Sequence, residues 1–398
     1  MNKKVILQNG KEQSLLRKHP WVFSGAIKSK DDAIQDGEIV DVFSVSNKYI
    51  GSGHYHNGSI SVRLFSFENV EINSLFWKQK LVSAFQLRSI VGLANNKSTN
   101  AYRLIHGEGD GFPGLIIDIY NEVAIFQAHS IGMHLLKNTI APLLIELFEG
   151  KLKAVFDKSK ETLPANYSNT IKNDYIVGNI PDNNIVIENN CKFHVDWVGG
   201  QKTGFFVDQR ENRKLLQSYS QNKTVLNTFC YTGGFSVFAL QGGAKEVHSV
   251  DSSKKAIELT EKNILLNSTK ENNFSEKHTA FVQDTFDYLK DKSNLYDVII
   301  LDPPAFAKHQ NAKHNAINGY KRLNVEAISK IKSGGILFTF SCSQVIDRKI
   351  FYGTVASAAI ETGRNIRVLH HLSQPADHPV NIYHPEGEYL KGLVLYVE

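Results

Sequence analysis

Three aspartates and one cysteine in the second half of the chain each follow an apolar run that is typical of a β-strand. These residues are Asp251, Asp284, Asp302 and Cys342. Carboxylates accept hydrogen bonds from hydroxyl and amino groups, and a thiolate attacks electron-poor carbon atoms. In open α/β sheets, ligands bind at the carboxyl ends of the parallel strands. We therefore expect the four side chains to reach one edge of a single sheet and to share one site.

Residues 225–251 are predicted to form a strand, a turn, a helix and a second strand that ends at Asp251. The turn, residues 231–234, reads Tyr-Thr-Gly-Gly, whereas a pyrophosphate-binding turn requires Gly-x-Gly-x-x-Gly. This pattern suits a cofactor with a ribose and an adenine but no phosphate, which describes S-adenosylmethionine (SAM). We predict that Tyr231, Gly233 and Asp251 bind SAM, with Asp251 on the ribose. The alternative is an ordinary βαβ unit in which the Asp251 carboxylate binds no ligand.

Asp284 is a further predicted cofactor contact, because it could accept a hydrogen bond from the adenine amino group. A hydrogen bond to a charged group contributes about 1.5–3 kcal/mol. Aspartate is also a favourable N-cap, and a helix is predicted directly after this residue. The two roles are compatible, because such a cap already lies at the edge of the sheet.

The loop that precedes the sheet is predicted to lie beside the same cofactor. Its predicted cofactor-binding residues are Lys202, Thr203, Gly204, Phe205 and Asp208. The loop lacks the Gly-x-x-x-x-Gly-Lys-Ser/Thr order of a phosphate-binding loop. Asp208 and Glu211 have the spacing of a capping box, which predicts that a helix begins there.

The turn Asp302-Pro303-Pro304 follows a fully apolar strand predicted at residues 298–301. Two prolines remove two backbone donors and fix an extended turn, so Asp302 is expected to point into the site. Such a turn can bind the exocyclic amino group of a flipped base. We predict that Pro303, Pro304 and Phe306 contact that base, with Phe306 stacked on it. Asp302 is predicted to contact the cofactor as well.

Cys342 lies between two serines, just past a predicted strand at residues 335–340. Carbon 5 of a pyrimidine is a poor nucleophile, but a thiolate that adds to carbon 6 enables carbon 5 to attack a methyl sulfonium. Cys342 is the predicted thiolate, although a single cysteine at a strand end is usually a small buried apolar residue. Cys230, in the cofactor turn, is the competing candidate, and Cys191 lies outside the set.

The composition describes an ordinary globular protein. The 398 residues allow two or three domains, with 42% hydrophobic and 21% charged residues. The net charge of +5 is compatible with nucleic acid but does not require it. Three cysteines without disulfide or zinc spacing indicate a reducing compartment, and no apolar run has membrane-spanning length. We predict a cytoplasmic protein without a metal site.

The order of predicted elements indicates three domains. Residues 1–74 contain short alternating strands and predict a small β-barrel. Residues 75–190 predict an α+β connector, and residues 191–398 predict an α/β doubly wound parallel sheet that ends with an antiparallel strand.

The predicted barrel interleaves basic and aromatic residues at Arg17, Lys18 and Trp21. Such a composition can pair with RNA phosphates and stacked bases. We predict that these three residues contact the substrate. Burial of Trp21 in the barrel core is the alternative.

These segments together resemble the bacterial ribosomal RNA large subunit methyltransferase I family, over essentially the whole chain. The matching segments are residues 17–26, 200–213, 227–235, 302–304, 339–343, 376–379 and 385–387. The resemblance implies an N-terminal PUA domain, a central RNA-binding domain and a class I Rossmann-like catalytic domain. It also implies SAM-dependent formation of 5-methylcytidine, with Cys342 as the nucleophile and Asp302 on the target base.

One residue departs from the pattern of the wider RNA 5-methylcytosine enzymes. Many carry Pro-Cys after the buried strand, whereas Ala305 follows Pro304 here. A two-cysteine release mechanism is therefore not expected, and another base must take the proton from carbon 5. Glu386 is the predicted base, with Asp302 as the second choice.

Two other functions remain open at this stage. The same scaffold could methylate a base nitrogen through the turn at Asp302 without a covalent intermediate. Alternatively, the protein could be a non-catalytic RNA-binding protein with a vestigial SAM site. The predicted partner is large-subunit ribosomal RNA, with no membrane, and a homodimer is compatible with the sequence.

Overall fold

The computed structural model describes residues 2–179, 181, 183–290, 295–307 and 309–398. The chain forms two compact units. The first contains Met1–Val186, Val195–Phe205 and Ala376–Gly387, and the second contains Ile187–His194, Phe206–Pro375 and Glu388–Glu398. The division into three domains stays a prediction.

A six-stranded sheet forms the N-terminal part of the first unit. Its elements are β1 (Lys3–Leu7), α1 (Gln13–Leu16), β2 (Trp21–Phe23), β3 (Ile27–Lys30), β4 (Ile39–Phe43), β5 (Tyr49–Tyr55) and β6 (Ile60–Ser66). The strand order is β2-β6-β5-β4-β1-β3, and β1 is parallel to β4. Every second residue of β4 points inward, so Val40 and Val42 are buried in one core with Val5.

A second sheet with flanking helices completes most of the first unit. Its elements are α2 (Ser74–Ile90), β7 (Ala101–His106), β8 (Leu115–Tyr120), β9 (Val123–Ala128), α3 (Ile131–Leu135), α4 (Lys137–Leu147), β10 (Ala154–Asp157), α5 (Ala165–Ser168) and β11 (Asp174–Val177). The strand order is β11-β10-β9-β8-β7. Asn73 caps α2, since its side chain accepts a hydrogen bond from Phe76 N at 3.1 Å.

Two short strands, β12 (Ile185–Glu188) and β13 (Cys191–His194), pair with each other before the seven-stranded sheet begins. Asn189 and Asn190 connect them, and both have positive φ angles, of 48° and 66°. Asparagine tolerates this left-handed conformation, which a two-residue hairpin turn requires.

The second unit is built on a seven-stranded sheet flanked by helices. Its elements are α6 (Arg210–Ser218), β14 (Thr224–Thr228), α7 (Gly234–Gln241), β15 (Glu246–Asp251), α8 (Lys254–Leu266), β16 (His278–Val282), α9 (Thr285–Lys290), β17 (Val298–Leu301), α10 (Lys313–Lys330), β18 (Gly335–Ser341), α11 (Arg348–Thr362), β19 (Ile366–Ser373) and β20 (Lys391–Val397). The strand order is β16-β15-β14-β17-β18-β20-β19. Strands β14 to β18 are parallel, and β20 is antiparallel to both of its neighbours.

The predicted parallel α/β sheet with a late antiparallel strand is confirmed. The antiparallel strand lies inside the sheet, between β18 and β19, and not at its border. β17 is buried along its whole length, as its uninterrupted apolar sequence predicts. Among the helices of the described residues, none combines the length and the apolar character needed to cross a membrane.

A buried ion pair joins α2 to the loop after β7 within the first unit. Arg88 is fully buried, and its Nη2 donates to Asp110 Oδ2 at 2.8 Å and to the Asp377 carbonyl at 2.7 Å. Its Nε donates to the Arg103 carbonyl at 2.8 Å. The Asp110 side chain is 3% exposed, so both charges depend on this contact for compensation.

Replacement of Arg88 by methionine is expected to lower the free energy of unfolding of the first unit by about 3–5 kcal/mol. The reason is that the Asp110 carboxylate would remain buried without its cation. Urea unfolding followed by tryptophan fluorescence measures this change, because Trp21, Trp77 and Trp197 all lie in the first unit.

Lys78→Met provides the matched control. It removes an exposed ion pair with Glu146, at 2.7 Å, and should change the unfolding free energy by less than about 1 kcal/mol. Equal effects of the two substitutions would contradict the importance that we assign to the buried pair.

Candidate functional site

The carboxyl ends of five parallel strands lie along one edge of the second unit's sheet. The register aligns Asp251 with Val282, and it aligns Leu301 with Thr228 on one side and with Thr339 on the other. The residues that end or follow these strands are therefore neighbours along that edge. The predicted residues at this edge are Asp251, Asp284, Asp302 and Cys342.

Asp251 ends β15, and two backbone N–H groups fix its carboxylate. Tyr231 N donates to Oδ2 at 3.0 Å, and Ser253 N donates to Oδ1 at 2.8 Å. The turn packs closely on α8: Gly233 has a φ of +76°, and a Cβ there would lie 2.6 Å from Thr260 Cγ2. A carboxylate offers about four acceptor sites. Asp251 therefore retains capacity for two vicinal hydroxyl groups, which fits the ribose of SAM.

Asp284 is exposed and caps α9. Its Oδ1 accepts hydrogen bonds from Phe286 N at 2.8 Å and from Asp287 N at 3.2 Å. The capping role that the sequence allows is thus observed. The contact with adenine stays a prediction.

Asp302 follows β17, and the turn before α6 holds its side chain. Gln209 Nε2 donates to Asp302 Oδ2 at 3.0 Å, and Gln209 Oε1 accepts from Asn212 Nδ2 at 2.6 Å. Of the two following prolines, Pro303 is buried and Pro304 is exposed. The turn is thus anchored by one proline, while the carboxylate is held in one orientation.

Phe306 packs against α10 within the second unit. Its ring centroid lies 4.6 Å from that of Tyr320, and the two rings are tilted by 40°. Burial raises the pKa of Tyr320 to about 12, and the charges of Cys342 and Asp302 act in the same direction. The Tyr320 hydroxyl therefore stays neutral at physiological pH and lies within the electrostatic reach of both groups.

Cys342 is the one partly exposed thiol among the three cysteines, all of which are described. Cys191 and Cys230 are buried. Burial raises the pKa of Cys191 to about 12 and that of Cys230 well above its usual value. Ser343 Oγ donates to the Ala307 carbonyl at 2.6 Å, which ties the cysteine segment to the turn that follows β17. Reactive thiols are accessible ones, so this geometry favours Cys342 over Cys230.

Lys391 is a residue of this edge that the sequence reasoning missed. It is 2% exposed, and its Nζ donates to the carbonyls of Ser343 at 2.7 Å and Tyr389 at 2.6 Å. The sequence feature that could have identified it is a single lysine at the start of an otherwise apolar strand, β20. Lysine is rarely buried completely unless it has partners, and here two carbonyl oxygens supply them.

The predicted capping role of Asp208 is wrong. A 3-10 turn spans Val207–Gln209, α6 begins at Arg210, and no side chain caps that helix. The Asp208 Oδ2 atom accepts a hydrogen bond from the Tyr389 hydroxyl at 2.7 Å. A partner that is distant in sequence thus replaces the local contact that the spacing suggested.

The predicted cofactor loop Lys202–Phe205 lies in the first unit. Thr203 is buried, and its hydroxyl donates to Asp118 Oδ2 at 2.7 Å. The Phe205 carbonyl accepts a hydrogen bond from the Tyr120 hydroxyl at 3.0 Å. These contacts explain how the loop is held, and its contact with a cofactor stays a prediction.

The predicted RNA-binding residues also lie in the first unit. Arg17 and Lys18 are exposed, and Lys18 Nζ lies 4.8 Å from the centre of the Phe67 ring. Trp21 is partly buried, and its indole Nε1 donates to Glu108 Oε1 at 2.8 Å. The polar atom of Trp21 thus has a partner inside the protein, and its ring packs edge-on against His384, with 4.3 Å between the ring centroids. Its contact with RNA stays a prediction.

Glu386 belongs to a small cluster with two histidines of the first unit. Its Oε2 lies 3.7 Å from His19 Nε2 and 3.8 Å from His384 Nε2. Such a cluster could hold a metal ion, but His19 Nδ1 accepts a hydrogen bond from Trp21 N at 3.2 Å. In the neutral form of His19 the proton is therefore on Nε2, the atom that faces Glu386, and this nitrogen has no lone pair for a metal ion.

Solved structures share this fold. A protein from Streptococcus mutans assigned as a SAM-dependent methyltransferase is 24% identical over 99% of this chain and 100% of its own, with a TM-score of 0.82. SMU.776, an assigned methyltransferase solved in complex with S-adenosylhomocysteine, is 24% identical over the same shares, with a TM-score of 0.83. At this identity, the likeness describes the fold.

Sequence comparisons identify the family. Residues 5–67 match the PUA-like domain, and residues 152–382 match the S-adenosylmethionine-dependent methyltransferase family. Ribosomal RNA large subunit methyltransferase I of Aeromonas hydrophila is 38% identical over 99% of both chains. The protein of the same name from Vibrio vulnificus is 38% identical over 100% of both. This chain therefore belongs to the SAM-dependent methyltransferases and, within them, to the ribosomal RNA large subunit methyltransferase I family.

Proposed function

We propose that this enzyme transfers the methyl group of SAM to carbon 5 of a cytosine in large-subunit ribosomal RNA, with Cys342 as the nucleophile. The names of its relatives support ribosomal RNA as the substrate. The observation that carries the choice of atom is the partly exposed thiol at the end of β18, next to the turn that contains Asp302. Methylation of carbon 5 needs such a nucleophile, whereas methylation of a nitrogen does not.

The cofactor is proposed to bind along the edge formed by β16, β15 and β14. In this proposal, Asp251 accepts hydrogen bonds from the ribose hydroxyls and Asp284 accepts one from the adenine amino group. The backbone at Tyr231 and Gly233 lies close to the cofactor. The fixed carboxylate of Asp251 supports this placement. The further proposed contacts are Asp302, Asp208 and the loop residues Lys202, Thr203, Gly204 and Phe205.

In the proposed reaction, the Cys342 thiolate forms a bond from Sγ to carbon 6 of the cytosine. The π electrons of the C5–C6 bond then make carbon 5 nucleophilic. Bound SAM supplies an electrophilic methyl group. After transfer, a base takes the proton from carbon 5, the C5–C6 double bond forms again, and the electron pair of the C6–Sγ bond returns to Cys342.

Asp302 is proposed to orient the target base by accepting a hydrogen bond from its exocyclic amino group. The hydrogen bond from Gln209 supports this role, because it helps to fix the orientation of the carboxylate. Pro303, Pro304 and Phe306 would line the base. Glu386 remains our first candidate for the base that removes the C5 proton, with Asp302 as the second.

RNA is proposed to contact the PUA-like domain through the exposed side chains of Arg17 and Lys18 and through the ring of Trp21. The three-domain division, a cytoplasmic location and a homodimer belong to this proposal as expectations. Phosphate contacts by lysine and arginine make such binding dependent on salt.

Asp251→Asn is expected to weaken SAM binding about 10- to 100-fold, because a charged acceptor for the ribose hydroxyls is lost. Isothermal titration calorimetry of the full chain measures the affinity. Asp287→Asn is the matched control, since Asp287 is an exposed residue of α9 that pairs with Lys290 at 2.5 Å. Unchanged SAM affinity of the Asp251 variant would contradict the ribose assignment.

Cys342→Ala is expected to retain SAM binding and to reduce methylation of ribosomal RNA by at least about 1,000-fold, because the nucleophile is removed. Tritium transfer from labelled SAM, followed by mass spectrometry of the nucleosides, measures both rate and product. The buried Cys191 provides the control variant, Cys191→Ala, which should stay active.

The methylation assay and the SAM-binding measurement together test the competing functions. Full activity of the Cys342 variant with a nitrogen-methylated product would support a nitrogen methyltransferase. Absence of SAM binding by the unmodified protein would support a non-catalytic RNA-binding protein.

A further inference from the structure

The position of Lys391 follows from strand pairing within the second unit. As the first residue of β20, it is paired with Ser341 of β18 and with Ser373 of β19. Its Nζ reaches the Ser343 carbonyl at 2.7 Å. The lysine backbone is therefore aligned with the residue before Cys342, while its ammonium contacts the residue after it. The Lys391 side chain therefore runs alongside the segment that contains Cys342.

Lys391 is a buried lysine, and its hydrogen-bond partners among the described residues are neutral carbonyl oxygens. Its Nζ donates to two carbonyl oxygens, and within the part of the chain that the structure describes it forms no salt bridge with a carboxylate. Burial lowers the pKa of Lys391 to about 8, and the negative charge of Cys342 opposes this lowering. A buried ammonium is stabilised when an anion lies beside it.

We propose that Lys391 is the cation that holds Cys342 as a thiolate. When the lysine is neutral, its amine takes the proton of the thiol, which yields a thiolate and an ammonium with no change in net charge. A cation beside a cysteine is a recognised way to favour the thiolate. Lys391 contacts neither base nor cofactor in this scheme and is therefore a positioning residue that acts through Cys342.

The inference rests on the proposed function only for its catalytic consequence. In that reaction, the electron pair of the thiolate forms the Sγ–C6 bond, and the negative charge moves from sulfur to the pyrimidine. When the C6–Sγ bond breaks, the pair returns to sulfur beside the ammonium. Lys391 would thus stabilise both the attacking and the departing thiolate.

Other ionisable groups also act on this pair. Tyr320 of α10 lies near Cys342, and burial raises its pKa to about 12. Asp302 acts on the same tyrosine, and Asp347, Arg348 and Glu388 act on Lys391. Arg348 and Glu388 form an ion pair at 2.6 Å, so their charges largely cancel. Carboxyl and guanidinium groups generally titrate outside the range from about pH 6 to pH 10, in which the thiol and the amine titrate.

The test measures the rate of alkylation of Cys342 by iodoacetamide from about pH 6 to pH 10, in the full-length protein without SAM or RNA. Peptide mass spectrometry identifies the modified cysteine, and burial of Cys191 and Cys230 keeps them unreactive in the folded state. We expect the wild-type midpoint to lie below the ordinary thiol pKa of about 8.5. A wild-type midpoint at or above that value would overturn the inference, whatever the variants do.

Lys391→Met should raise this midpoint by about one pH unit, which lowers the alkylation rate near neutral pH about tenfold. Lys391→Arg keeps the charge and should preserve a low midpoint. Lys330→Met is the matched control, because Lys330 Nζ also donates to a backbone carbonyl, that of Lys290 at 2.9 Å, and should leave the midpoint unchanged. An unchanged midpoint in the methionine variant, with its circular dichroism intact, would overturn the inference.

Failure of this inference differs from failure of the proposed function. If Cys342→Ala abolishes methylation while Lys391→Met leaves the alkylation midpoint unchanged, the function stands and the ion pair does not. If Lys391→Met raises the midpoint while Cys342→Ala remains active, the ion pair stands and the carbon-5 mechanism does not.

Discussion

The direction of β20 determines which residue of that strand lies beside the candidate site residues of the second unit. Strands β14 to β18 are parallel, so all of them end at the same edge, whereas β20 is antiparallel and begins there. The cysteine segment that follows β18 therefore lies next to Lys391, the first residue of β20. A parallel β20 of seven residues would carry this lysine about 20 Å away, to the opposite edge. The antiparallel insertion between β18 and β19 thus places Lys391 at the edge where the proposed nucleophile lies.

The three carboxylates at this edge are oriented mainly by hydrogen bonds from backbone N–H groups. Two N–H groups orient Asp251, two cap contacts orient Asp284, and an amide side chain orients Asp302. The helices α7, α8 and α9 begin at the same edge, and helix N-termini favour nearby negative charge. Carboxylates fixed in this way keep their orientation without a ligand, so little reorganisation is required when a ligand binds.

The sequence predicted those parts of the site that depend on local order. Apolar runs that end in aspartate correctly placed Asp251, Asp284 and Asp302 at one edge of the sheet, because a buried parallel strand and the polar residue after it are adjacent in the chain. Their roles stay proposals. The sequence did not predict contacts between distant segments. Asp208 has a capping-box spacing, yet Tyr389, 181 residues later, binds its carboxylate. Lys391 was missed for the same reason, since only the pairing of β18 with β20 brings it to the cysteine.

The charge balance at this edge explains why a buried lysine is suited to it. Asp302 and Cys342 both act on the Tyr320 hydroxyl. A thiolate at Cys342 would therefore lie within the field of a carboxylate, and like charges disfavour each other. A cation beside the sulfur would offset this cost. Arginine would supply the charge but could not accept the thiol proton, whereas a buried lysine with a pKa of about 8 can do both. In the proposed reaction, such a lysine would stabilise the sulfur whenever it carries negative charge, both before it attacks and after it departs.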